Sequence, residues 1–179
     1  MSPDTSPDRE RFPTQACYAD HEALALTLEL HTRNPSQEAR EGRFRAANHP
    51  DTCPHLLSML LVVGDKFLVR RLAEHPALSA ADMKRLCDHL DSDVRVALAG
   101  NQSVLKEICW LLYRDENPDV RYALAESYAV DTEILSALLE DENPFVAGRA
   151  RQTLRRLNIQ LCVAAELPLG EQEGRRGIA

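Results

Sequence analysis

Apolar residues along this chain recur at helical spacing, and the pattern itself recurs at a fixed distance. In Leu57, Leu60 and Leu61 they form the one-sided stripe of an amphipathic helix. Leu57 returns 26 residues later as Met83, then as Cys109 and Leu135. The same step links Leu60, Leu86, Leu112 and Leu138, and links Leu68, Val94, Val120 and Val146. The string Arg45-Ala46-Ala47-Asn48-His49-Pro50 reappears as Arg71-Leu72-Ala73-Glu74-His75-Pro76, so Ala47, Ala73, Ala99 and Ala125 are one structural position. Apolar columns in one register predict repeated units of two short helices. Each unit is too small to close a core alone, so its columns must be buried by the units before and after it.

Polar residues punctuate the units. Asp65, Asp91, Asn117 and Asn143 share one repeat position, and each can accept a hydrogen bond from the unpaired amides of a first helical turn. Pro118 and Pro144 follow in the last two copies, at the position where a missing donor costs least. Asp-Glu-Asn-Pro therefore reads as a helix entrance rather than an acidic motif. Ser79 to Asp82 resembles a capping box opening the second helix, and Asp131 opens it in another copy.

A capping Asp or Asn, then Val-Arg, then Ala-Leu-Ala-Glu, as in Asn117 to Glu126, resembles bacterial HEAT-like repeats and especially the leucine-rich repeat variant family, over roughly residues 40 to 152. The resemblance implies an all-α, right-handed α-solenoid of short helix pairs, about four repeats long. Its first helices are able to take 3₁₀ form and its second helices line the concave surface. It implies no reaction. Some members hold an iron-sulfur cluster on an N-terminal cysteine cluster, but only Cys17 stands in that segment here.

The expected organisation is a disordered tail over 1–14, an N-terminal capping helical segment over 15–39, the repeat array over 40–164 and a flexible tail over 165–179. Helices are predicted near Asp20 to Thr32 and after Asn34-Pro35. A longer one from Pro144 to about Val163 carries Arg149, Arg151, Arg155 and Arg156 where a closing repeat turns polar.

Composition narrows the function class. With 21 basic and 28 acidic side chains the net charge is −7, which disfavours general binding to nucleic acid or anionic membranes. No apolar run approaches a membrane span, and the N-terminus lacks a signal peptide's apolar core. A cytoplasmic protein is expected. The five cysteines are scattered, signalling neither a zinc knuckle nor a disulfide framework.

Candidate chemistry is sparse. His49, Cys53, His55, His75, Cys87 and His89 supply metal-ligand types. His49 and His75 share a repeat position, however, and equivalent positions of adjacent units lie about 10 Å apart, too far for joint ligation; turn and surface roles are expected, with no metal and no cofactor. A di-iron hydroxylase would need several His-Glu pairs, and only His21-Glu22 exists. No nucleophile elbow, P-loop or dinucleotide turn is present, and the chain has only seven glycines. Arg43, Arg95 and Arg121 share one position, readable as a basic ladder or as partners of carboxylates such as Asp91 and Asp115. The acidic runs at Asp115-Glu116 and Asp141-Glu142 read as solvated loop. Trp110 stands where other repeats carry Ser58, Lys84 and Ser136. With Lys84, Arg85, Leu111 and Arg114 it is the candidate binding surface, since Trp and Arg are enriched at interface hot spots; folding back over the adjoining repeat is the other reading of Trp110. The expectation is a non-catalytic scaffold or adaptor binding a protein partner through the second helices. The alternative is a nucleic-acid-binding or base-processing repeat protein using Lys84, Arg85, Arg95 and Arg114.

Overall fold

A computed structural model describes Glu29 and residues 35–165, the side chains of 158–165 excepted. The predicted helix over Asp20 to Thr32 and the two predicted tails lie outside the described residues, apart from Glu29 and Ala165.

Every regular element among the described residues is helical. In chain order these are α1 (Gln37–Asn48), α2 (Pro54–Val63), α3 (Lys66–Ala73), α4 (Ala80–Cys87), α5 (Ser92–Ala99), α6 (Lys106–Leu112), α7 (Pro118–Glu126), α8 (Thr132–Ala137) and α9 (Pro144–Ala165). A single 3₁₀ turn, Leu138–Glu140, follows α8. No helix among the described residues is long and apolar enough to cross a membrane.

The period in the sequence is also the period of the helix starts. Helices α3, α5, α7 and α9 begin at Lys66, Ser92, Pro118 and Pro144, and α2, α4, α6 and α8 at Pro54, Ala80, Lys106 and Thr132, a step of 26 residues in both series. The caps set these starts. Asp65 accepts from the Leu68 amide at 2.9 Å, Asp91 from Asp93 at 3.0 Å, Asn117 from Asp119 at 2.8 Å and Asn143 from Phe145 at 2.9 Å. Ser79 and Asp131 do the same for α4 and α8.

Successive first helices pack closely, α1 on α3, α3 on α5, α5 on α7 and α7 on α9, while the second helices touch one another less. Ala47, Ala73, Ala99 and Ala125 are buried on the first helices, and side chains this small let neighbouring backbones approach. The predicted columns form the core, with Leu57, Leu60, Leu112, Leu135 and Leu138 fully buried.

Two expectations need correction. The boundary drawn at 39/40 falls inside α1, because the cap position of the other repeats is occupied here by Ala39, which cannot cap; the helix extends back to Ser36, whose hydroxyl accepts from the Ala39 amide at 3.2 Å. The first helices are α-helical, and the 3₁₀ turn sits instead behind the last second helix, where only six residues of α8 precede it.

Candidate functional site

Arg95 and Arg121 form no basic face. Both are buried. Arg95 donates from Nε and Nη2 to the two carboxylate oxygens of Asp115, at 2.7 and 2.9 Å, and from Nη1 to the His89 carbonyl at 2.7 Å. One repeat later Arg121 donates to Asp141 at 2.8 and 3.1 Å and to the Asp115 carbonyl at 2.6 Å. Each guanidinium thus ties the turn before its own helix to the turn before the next first helix, and the planar fork suits this bidentate geometry.

Asp115 and Asp141 also accept the Asn117 and Asn143 amides at 2.9 and 2.8 Å. Burial pushes both carboxyls upward, but the arginine hydrogen bonds and charges and the amide bonds outweigh it, leaving both below the usual carboxylate range. The solvated-loop reading holds for Glu116 and Glu142, whose side chains are 93% and 86% exposed. It fails for Asp115 and Asp141, at 7% and 5%.

His49, His75 and His89 are joints of the turns. His75 is buried rather than a surface residue. Its Nε2 lies 2.8 Å from the His49 carbonyl and its Nδ1 accepts from the Ala77 amide at 3.1 Å, so the proton sits on Nε2. At the same repeat position Asn101 donates to the carbonyls of Ala73 and His75 at 2.8 and 3.1 Å and accepts from Ser103 at 2.7 Å. His89 takes the place of Asp115 and Asp141 at its own turn, accepting from the Asp91 amide at 3.1 Å. These side chains satisfy backbone groups that helix ends leave unpaired. Among the described residues no three His, Cys, Asp or Glu come together in a way that could hold a metal. Cys87 and Cys109 pack in and against the core, where burial pushes both thiols up to about 11.

The candidate surface lies on α4, α6 and the turn after α6. Lys84 and Trp110 occupy equivalent positions on these packed neighbours, as do Arg85 and Leu111. Lys84, Arg85, Leu111 and Arg114 are exposed, and Leu111 keeps 51% of its surface. Trp110 is half-buried, packed against the core and meeting Tyr113 edge-on with centroids 5.5 Å apart.

Arg95, Arg121, Lys106 and Arg149 are neutralised by carboxylates, while Lys84 and Arg114 make no ion pair among the described residues. Among the described residues Arg85 reaches only Asp82, at 3.4 Å. Leu111 and Arg114 share a shallow depression of about 390 Å³ with Cys87, Asp88, Asp115 and Glu116; Trp110, Lys84 and Arg85 lie outside it.

A second concavity was not anticipated. A groove of about 780 Å³ runs across the first helices, with Arg70 and Arg71 of α3, Asp93, Val96 and Ala97 of α5, and Ala123 and Glu126 of α7 among its lining residues. Among the described residues, no second-helix residue lines it. It opens where α5 and α7 carry Ala97, Gly100 and Ala123 in place of the long Arg71, Glu74 and Arg149. The aligned small residues were readable in the sequence once the columns were drawn. Charges of both signs line it, so it names no partner. The chain matches no family model, no curated protein and no solved structure.

Proposed function

We propose that this protein is a non-catalytic interaction module, an α-solenoid of about four HEAT-like or leucine-rich-repeat-variant units, that binds an acidic protein partner on α4 and α6. The observation that carries this reading is the patch itself. On a chain of net charge −7, two exposed cations without an ion pair among the described residues and the weakly paired Arg85 accompany an exposed Leu111 and a partly buried Trp110. Apolar anchors ringed by charge are the composition of a binding hot spot, and unpaired cations favour a partner of opposite sign. The 26-residue step of both helix series supports the solenoid. No membrane segment is invoked and the setting is cytoplasmic.

A nucleic-acid reading has less behind it. Arg95, one of its four cations, is buried against Asp115 and is not available to phosphate. Capture experiments with wild type, Leu111→Asp, Lys84→Glu/Arg114→Glu and, on the opposite face, Arg70→Glu test the proposal. A protein held by wild type and Arg70→Glu but lost by the other two is expected. Equal capture by all four, or a salt-sensitive shift of labelled DNA without protein capture, would overturn it.

A further inference from the structure

The arginine of the first helix and the carboxylate of the turn beyond it recur in the α5 and α7 units, and the second repeat lacks both. At the position of Arg95 and Arg121 the second repeat carries Val69, and at the position of Asp115 and Asp141 it carries His89. The guanidinium that should tie the turn at Gly64-Asp65 to the turn at His89 to Asp91 is therefore missing. An exposed contact, Lys66 to Asp91 at 3.9 Å, stands in for it.

The apolar core breaks at the same place. Leu56, Ile108 and Ile134 form a buried column, and between the first two stands Asp82, buried to 3% exposure. A carboxylate cannot make the apolar contact its neighbours make. The buried apolar side chains accordingly fall into two clusters, one of Ala46, Ala47, Leu56, Leu57, Leu60, Leu68 and Leu72, the other running from Val69 to Ala150. Helix α3 gives Leu68 and Leu72 to the first and Val69 and Ala73 to the second, whereas the buried apolar residues of α5 and of α7 each belong to one cluster.

Half-buried Leu61 of α2 touches both clusters, and otherwise polar bonds span the break: Ser58 Oγ to Asp82 at 2.5 Å, His75 to the His49 carbonyl at 2.8 Å, and Arg71 to Asn48. Water can replace such bonds, unlike apolar contact. The Ser58 hydroxyl also lies 3.1 Å from the Pro54 carbonyl of its own helix, and Asp82 keeps the Ser79 hydroxyl at 2.6 Å. Parting strands neither group.

We propose that the second repeat is a built-in seam, at which α1 and α2 open as one unit from α4 onward while the rest of the array stays folded. The opening belongs to the array itself and would occur whether or not α4 and α6 bind a partner. It would uncover Leu56, Leu57 and Leu60 beside the Lys84 and Arg85 face.

Native-state hydrogen exchange of the full chain in low urea tests this. Amides of α1 and α2 should exchange together, through one opening with a shared urea dependence, with protection at least about tenfold below that of α5 and α7 and a step at α3. A gradual decline toward the N-terminus, or one common protection across α1, α2, α5 and α7, would overturn the proposal. Asp82→Leu, which restores the apolar column, should raise protection in α1 and α2 at least about tenfold and leave α7 unchanged. Val69→Arg with His89→Asp, which installs the missing pair, should act in the same direction and serves if Asp82→Leu does not fold. Unchanged protection of α1 and α2 in a folded variant would contradict the seam.

Discussion

Replacing Arg121 by valine removes one cation and strands one anion. Asp141, whose side chain is 5% exposed, would lose both guanidinium bonds and keep the Asn143 amide, while the Asp115 carbonyl would lose its donor at 2.6 Å. An ionised carboxylate left buried without its partner costs about 3–5 kcal/mol. For a chain of this size about 2–4 °C of melting temperature is lost per kcal/mol, so a drop of roughly 6–20 °C is expected by calorimetry or circular dichroism. The control is in the molecule: Val69 and His89 are what this chain carries at the same two positions two repeats earlier. Arg121→Val combined with Asp141→His should therefore be at least about 1 kcal/mol less damaging than Arg121→Val alone, a coupling that a double-mutant cycle reads. A single-variant cost under about 1 kcal/mol, the range of exposed pairs, would refute the account of these turns. So would a double variant as unstable as the single, since the stranded carboxylate would then not be the cause.

Acid should act through the same groups: Asp115 and Asp141 are held below their ordinary range, so their contribution is full above the unfolded value of about 4 and is lost as pH falls through the folded values. Urea midpoints measured from pH 7 downward should fall less steeply for Asp141→Asn than for wild type. Two glycines should respond with opposite sign. A Cβ on Gly148 meets nothing within 4 Å inside α9, so Gly148→Ala should stabilise by about 0.5–1 kcal/mol, whereas on Gly64 it would lie 2.8 Å from the Leu60 carbonyl and Gly64→Ala should destabilise. On the proposed interface, Leu111→Asp should abolish capture without lowering the melting temperature, because Leu111 is half exposed. Trp110→Ala should weaken binding about thirtyfold, the scale of a hot-spot loss of 2 kcal/mol, and also lower stability through its contacts with the core.

How much of this was legible depended on whether one residue could be compared with its counterpart a repeat away. The columns through Leu57 and Leu60 and the caps at Asp65, Asp91, Asn117 and Asn143 were readable because helix periodicity and capping are local rules. Burial of Arg95 and Asp115 was not. Charged residues near turns are usually solvated, and only the stacking of one turn over the next encloses them. His75 misled for the same reason, its partner being a carbonyl 26 residues away. Ser79 was read correctly as a cap, whereas the Asp82 carboxylate accepts the Ser79 and Ser58 hydroxyls instead of the Ser79 amide and breaks the Leu56, Ile108 and Ile134 column, which its place in a capping box did not suggest. The groove across the first helices required knowing which layer packs more closely, and that follows from the buried alanine column rather than from any motif. Lys84, Arg85, Leu111 and Arg114 stood out because the repeat predicts which positions face outward.

The claim that matters most is that α4 and α6 carry the binding surface, and site-specific photocrosslinking reads it without knowing the partner in advance. A benzophenone amino acid placed at Leu111, and in a separate variant at Val96 in the groove of the first helices, would be irradiated in the producing cell and the adducts identified by mass spectrometry. The account predicts one discrete adduct with an acidic protein at position 111, abolished by Lys84→Glu/Arg114→Glu, and none at position 96. An adduct at 96 alone, or at 111 unaffected by charge reversal, would contradict it.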